Sequence, residues 1–95
     1  LKITPYNILN HELIGLNVEL TGCKNKSLEG VKGMVIDETM KTFLILTSEG
    51  SKKRVPKDVC SFIFTLPNGT RVKVDGSLLV ARPEDRVKRL IKRRW

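Results

Sequence analysis

Beyond Gly15 the apolar residues stop recurring at helical spacing and begin to alternate with polar ones. From there to Gly76 short alternating runs are separated by turn residues. Leu16, Val18 and Leu20 alternate with Asn17, Glu19 and Thr21, the pattern of a half-buried strand. Val31 to Ile36 form a second run, and Gly33 inside it permits the bend or bulge that a small closed barrel needs. Thr42 to Thr47 read as an apolar strand, Lys52 to Val55 as a short and highly charged one. Cys60, Phe62, Phe64 and Leu66 share one strand face, and Val72 and Val74 one face of the next. Asp37 to Lys41, Glu49-Gly50-Ser51 and Pro67-Asn68-Gly69 are the turns, with Pro56-Lys57-Asp58 a single tight helical turn. Asn68-Gly69 is read as supplying both positive-φ residues of a primed hairpin turn. Turn signals at roughly eight- to twelve-residue spacing predict a mainly β fold, a small antiparallel barrel of about six strands. Closure would remove the edges that short strands otherwise expose.

The ends of the chain have a different pattern. Thr4-Pro5 is a hydroxyl N-cap followed by proline, and Ile8, Leu9 and Leu13 repeat at helical spacing until Gly15, so an N-terminal helix is expected. At the other end Pro83 fits a first helical position, with Glu84 and Asp85 in the first turn and Lys92 to Arg94 in the last, which predicts a C-terminal helix. Ninety-five residues are expected to make a single domain over 1–95. Such a domain buries somewhat over ~60% of its unfolded surface and can fold alone. The longest apolar run, Phe43 to Leu46, is far too short for a bilayer, no signal-peptide pattern opens the sequence, and a cytoplasmic protein is expected. Cys23 and Cys60 have no zinc-site or Cys-x-x-Cys spacing; they are read as packed thiols, with a disulfide the open alternative.

Catalytic chemistry finds no support. His11 is the single histidine, with no nucleophile in the local sequence, and is read as a structural or interface residue. Asp37-Glu38 point to opposite faces of a strand end, which makes a poor metal site, and no glycine-rich phosphate cradle occurs. Binding remains. Arg82 to Trp95 hold seven Lys/Arg against two acids, net +5 of the chain's +8. Val87, Leu90 and Ile91 can seat this helix on a core while Arg86, Arg89 and Arg93, flanked by Lys88 and Lys92, line another face. A polyanionic partner and a solvated surface helix are the two readings of that charge. Lys24, Lys26, Lys52 to Arg54, Lys57, Arg71 and Lys73 are expected to add exposed cations on the barrel. Phe43, Phe62 and Phe64 are assigned to the core, which disfavours a base-stacking platform and favours phosphate-backbone recognition of folded RNA.

Four motifs in order carry a family resemblance: His11-Glu12-Leu13-Ile14-Gly15 before the first strand, Gly33 to Thr39 running into a turn, Lys57 ahead of a Phe-x-Phe strand, and Gly76-Ser77-Leu78-Leu79 followed by Arg82 to Arg86. From about Asn10 to Arg86 the chain resembles the archaeal ribonuclease P protein subunits that fold as Sm-like barrels and have a eukaryotic ribonuclease P/MRP counterpart. The resemblance implies an RNA-binding subunit of the ribonucleoprotein that removes the 5′ leader of precursor tRNA. It implies that the RNA, with magnesium ions, is the catalyst, and that this chain carries neither catalytic residues nor a bound metal. Its implied partners are the ribonuclease P RNA, precursor tRNA and a small zinc-ribbon protein subunit, with no membrane, and a monomer when isolated. Lys57, Arg82 and Arg86 are the RNA contacts it carries over, joining Lys24, Lys26, Arg54, Arg71, Lys88, Arg89, Lys92 and Arg93 from the charge reading. Ile8, Leu9 and Leu13 would contact the protein partner, or simply cap the barrel's open end. A barrel adaptor acting mainly in protein assembly is the alternative function.

Overall fold

The structure, a computed structural model, describes residues 3–5 and 7–80. Six strands appear: β1 (Asn17–Thr21), β2 (Lys32–Glu38), β3 (Thr42–Thr47), β4 (Lys52–Pro56), β5 (Ser61–Thr65) and β6 (Arg71–Asp75). All neighbours are antiparallel, in the spatial order β4-β3-β2-β1-β5-β6. Period-2 alternation sets one face inward: Val18, Leu20, Val35, Phe43, Ile45, Val55, Phe62, Phe64 and Val74 are all buried. Phe43 meets Phe62 and Phe64 edge-on at 5.2 and 6.2 Å between ring centroids, the geometry that ring quadrupoles favour.

The sheet is not closed, which corrects the expectation of a sealed barrel: β4 and β6 do not pair. Their ends meet by another route. β4 runs into a 3-10 turn, Lys57–Val59, and β6 into a second one, Gly76–Leu79. These turns pack so tightly that a Cβ on Gly76 would overlap the carbonyl oxygens of Lys57 and Cys60. Pro56 offers no N–H at the end of β4, so the ladder stops there. The six-strand count and the tight turn after Pro56 agree with the sequence reading.

Three local expectations change. The N-terminal segment is a 3-10 turn, Ile8–Asn10, and not an α-helix. Asn7 Oδ1 accepts from the Thr4 N–H at 2.6 Å and the Asn7 N–H donates to Thr4 O at 3.2 Å, so a local turn takes groups a helix would have used. Gly33 is not itself the bulge. The register shift on β2 falls between Val35 and Asp37, while Gly33 admits the Leu46 carbonyl oxygen where a Cβ would overlap it. At Pro67-Asn68-Gly69 only Gly69 has positive φ, +89°. Pro67 holds φ negative at the first turn position, so Asn68 takes the second and Gly69 follows in the left-handed region. The Gly69 N–H donates to Leu66 O at 2.8 Å, making a three-residue loop in place of the primed turn.

Cys23 and Cys60 form a disulfide, so the open alternative replaces the packed thiols. It ties the loop after β1 to the turn before β5, beside the Lys24 N–H to Val59 O bond of 2.8 Å. The predicted C-terminal helix lies outside the described residues. Among the described residues no helix is long and apolar enough to cross a membrane.

Gly76→Ala is expected to cost about 1–3 kcal/mol, because the neighbours it would strike are backbone atoms that cannot rotate away. Urea unfolding checks this; a midpoint equal to wild type would mean that the two turns are not in close contact.

Candidate nucleic-acid interface

Ten of the cations, Lys24 to Lys73, lie on the described sheet and loops together with eight acids, Glu12 to Asp75. The sheet is therefore close to charge balance, and which side chains are engaged matters more than their number. Arg82, Arg86, Lys88, Arg89, Lys92 and Arg93 lie outside the described residues.

Lys24 and Lys26 are exposed in the loop between β1 and β2. That loop is shaped by Glu29, whose carboxylate accepts the Cys23 N–H at 2.9 Å and the Gly22 N–H at 3.1 Å. Those bonds, Cys23 first, hold the Glu29 pKa below its ordinary value, with Lys73 adding a smaller Coulombic pull. Asn25 Oδ1 accepts from the Ser27 N–H at 3.0 Å and starts the short turn Lys26–Leu28. The Asp75 pKa is lowered chiefly by the Ser77 N–H and hydroxyl, with Lys24 adding the smallest, Coulombic, pull.

Arg54 is exposed on β4, beside Lys52 and Lys53, and donates to Thr42 Oγ1 at 3.1 Å. Arg71 is exposed on β6 but is already engaged: its Nη2 meets Glu19 Oε1 at 2.8 Å. β4 and β6 are opposite ends of the strand order and do not pair with each other.

Lys57 departs most from its expected place among the exposed cations. It is fully buried. Its Nζ donates to Glu38 Oε2 at 2.6 Å, Thr39 O at 2.8 Å and Met40 O at 3.2 Å, and lies 4.9 Å from the centre of the Phe43 ring. The Lys57 N–H also donates to Lys41 O at 2.8 Å. The β2–β3 turn is thereby fastened to the segment that follows β4, and the ammonium has no solvent-facing side to offer an RNA phosphate. Glu38 and Thr39 fix this turn; Thr39 Oγ1 lies 2.6 Å from Thr42 Oγ1. Lys57 falls between Pro56 and a core strand, three positions beyond the exposed run Lys52 to Arg54, and nothing in that local pattern marks it for burial.

Ile8 and Leu13 are also buried, 3% and 0% exposed, and Leu9 packs partly against them. Ile8 and Leu13 thus belong to the core, while Leu9 keeps part of its side chain at the surface. Among the described residues no three His, Cys, Asp or Glu side chains converge as a metal site.

What the described surface presents is cations on a rigid antiparallel sheet and its loops, the outfit of a small all-β binding protein. The chain belongs to the ribonuclease P/MRP subunit p29 family, whose model matches residues 6–89. It is 53% identical over 90 residues to ribonuclease P protein component 1 of Methanocaldococcus jannaschii, covering 95% of this chain and 94% of that protein. It is 54% identical over 91 residues to the Methanococcus aeolicus protein of the same name, with the same two coverages. A solved structure, that of Mth11, described as a homologue of human RNase P protein Rpp29, superposes with TM-score 0.59 at 43% identity. The match covers 79% of this chain and 96% of that one.

Removing the Lys57 ammonium alone, as in Lys57→Met, is expected to cost about 3–5 kcal/mol, because Glu38 would keep a buried charge without its cation. Lys57→Met with Glu38→Gln should recover part of that loss. A double-mutant cycle in urea measures it, and additive losses would contradict the pairing. A lowered folded-state pKa at Glu29 means that its contribution is present above its ordinary value of 4.5 and lost as pH falls through the folded one. In an NMR titration the Cys23 and Gly22 amide signals should therefore shift with a midpoint below 4.5.

Proposed function

We propose that this chain, a protein subunit of ribonuclease P in tRNA processing, binds the ribonuclease P RNA through phosphate-backbone contacts and supports the RNA in removing the 5′ leader of precursor tRNA. The observation that carries the reading is the family match across residues 6–89 combined with the charge distribution. Seven of the eighteen Lys/Arg fall in Arg82 to Trp95 with only two acids, whereas the sheet is nearly neutral. We assign the main cationic contribution to that segment, through Arg82, Arg86, Lys88, Arg89, Lys92 and Arg93. Lys24, Lys26 and Arg54, exposed on the loops and on β4, add further cations.

On this reading catalysis rests with the RNA and its magnesium ions, and the protein supplies positive charge and a rigid shape. Precursor tRNA is the substrate of the assembled particle, and its setting is the cytoplasm. A zinc-ribbon protein subunit is the proposed protein partner. Because Ile8 and Leu13 are interior, such a partner would have to use other surface.

Neutralising about four to six phosphates implies that RNA affinity falls roughly 10²-fold or more between 50 and 200 mM salt. Reversing charge at Arg86, Arg89 and Arg93 together should weaken binding across RNA sequences while leaving the fold intact. Filter binding to the cognate RNA at several salt concentrations, and cleavage of precursor tRNA by the reconstituted particle with and without this chain, test the proposal. Unchanged affinity in the triple variant would remove the segment's role.

A further inference from the structure

On the face of the sheet turned away from the core, Glu19 is a carboxylate set among cations. Its direct cross-strand neighbour on β2 is Lys32, and its neighbour on β5 is Ile63, which in turn faces Lys73 on β6. Arg71, two residues from Lys73 on β6 and on the same face, reaches back across β5 to hold Glu19 Oε1 at 2.8 Å. Glu19, Lys32, Arg71, Asn17 and Thr65 line one shallow depression, floored on one side by the cross-strand pair Met34 and Leu46. Both of those apolar side chains are more than a third exposed.

We propose that this depression is a second RNA contact: a backbone phosphate displaces Glu19 and takes Arg71 and Lys32 as its cations. The inference rests on the RNA-binding reading given above and adds a site on the opposite side of the sheet from the core. Three features support it. The Arg71 guanidinium already meets an anionic oxygen through one N–H, and a phosphate can accept from two of its N–H groups and brings more charge. Arg71 is 58% and Glu19 31% exposed at the side chain, so the bridge is wet and weakly held, and exchange of one anion for another costs little. Lys32 and Lys73 lie on the same face and are exposed, while Asn17 and Thr65 supply amide and hydroxyl donors beside them. The exposed Met34 and Leu46 suit the apolar face of a ribose, as flat contacts without base selectivity.

Glu19 then acts as an internal competitor. Removing its charge should tighten RNA binding, an outcome that a purely structural ion pair would not produce. Glu19→Gln in the full chain is expected to raise affinity for the ribonuclease P RNA by about two- to fivefold. Lys32→Gln with Arg71→Gln should weaken it and lower the slope of log K against log salt by roughly 1 per lost phosphate contact. Circular dichroism and urea midpoints establish that each variant is folded. A folded Glu19→Gln that binds no tighter than wild type overturns the proposal. So does a Lys32/Arg71 variant whose affinity and salt slope match wild type while the Arg86/Arg89/Arg93 variant binds weakly; that pattern leaves the main RNA-binding reading standing. Wild-type chain with no affinity for the RNA would sink both. If the Lys32/Arg71 variant lost only its binding to a protein subunit, the face would be a protein contact, and the phosphate assignment would be wrong.

Discussion

A single buried ammonium group organises one end of this molecule. Transferring a lysine charge out of water costs several kcal/mol, so it persists in the interior only where every donor is met. Here Lys57 has a carboxylate from Glu38, the backbone carbonyls of Thr39 and Met40, and the face of Phe43. Each partner lies on a different part of the chain's path from β2 into β3, and Lys57 itself lies after β4. The contact therefore couples the β2–β3 turn, the start of β3 and the link to β5. Phe43 carries the coupling inward, since its ring also meets Phe62 and Phe64 on β5.

The same corner receives the two other constraints that an open sheet needs. Gly76 brings the end of β6 against the Lys57 and Cys60 carbonyls, and the disulfide from Cys60 to Cys23 anchors the loop after β1. Strand pairing does not close this sheet; a packed corner of two short turns does the equivalent task. The cation-bearing loop with Lys24 and Lys26 hangs from that corner, held by Glu29 and by the Lys24 N–H to Val59 O bond. Rigid presentation of exposed charge follows from buried contacts that themselves touch no ligand.

This arrangement suits a protein that works inside a ribonucleoprotein. A nearly neutral, well-anchored sheet cannot gather RNA by long-range attraction alone, whereas a strongly basic stretch of sequence such as Arg82 to Trp95 can steer and hold a polyanion. Membership of the ribonuclease P/MRP subunit p29 family supplies the biological setting, and the division of charge between sheet and segment suggests how the labour is split.

The sequence by itself determined the elements that depend on near neighbours. Alternation marked β1, β5 and β6, runs bounded by turn residues marked β2, β3 and β4, Pro56 marked the tight turn after β4, and Gly69 marked a hairpin, because side-chain period and allowed φ are local properties. It also assigned the three phenylalanines to the core, and the family through motifs in fixed order. Tertiary structure alone decided what happened between distant residues. Lysine is ordinarily a surface residue, so nothing nearby in the chain announced that Lys57 would find Glu38 nineteen positions away. The unpaired edges of β4 and β6 were not legible, and the Cys23–Cys60 disulfide and the interior placement of Ile8 and Leu13 were each one of two readings that the sequence left open. Each depends on where the folded backbone brings its partners, and burial and pairing at long sequence separation belong to the assembled sheet.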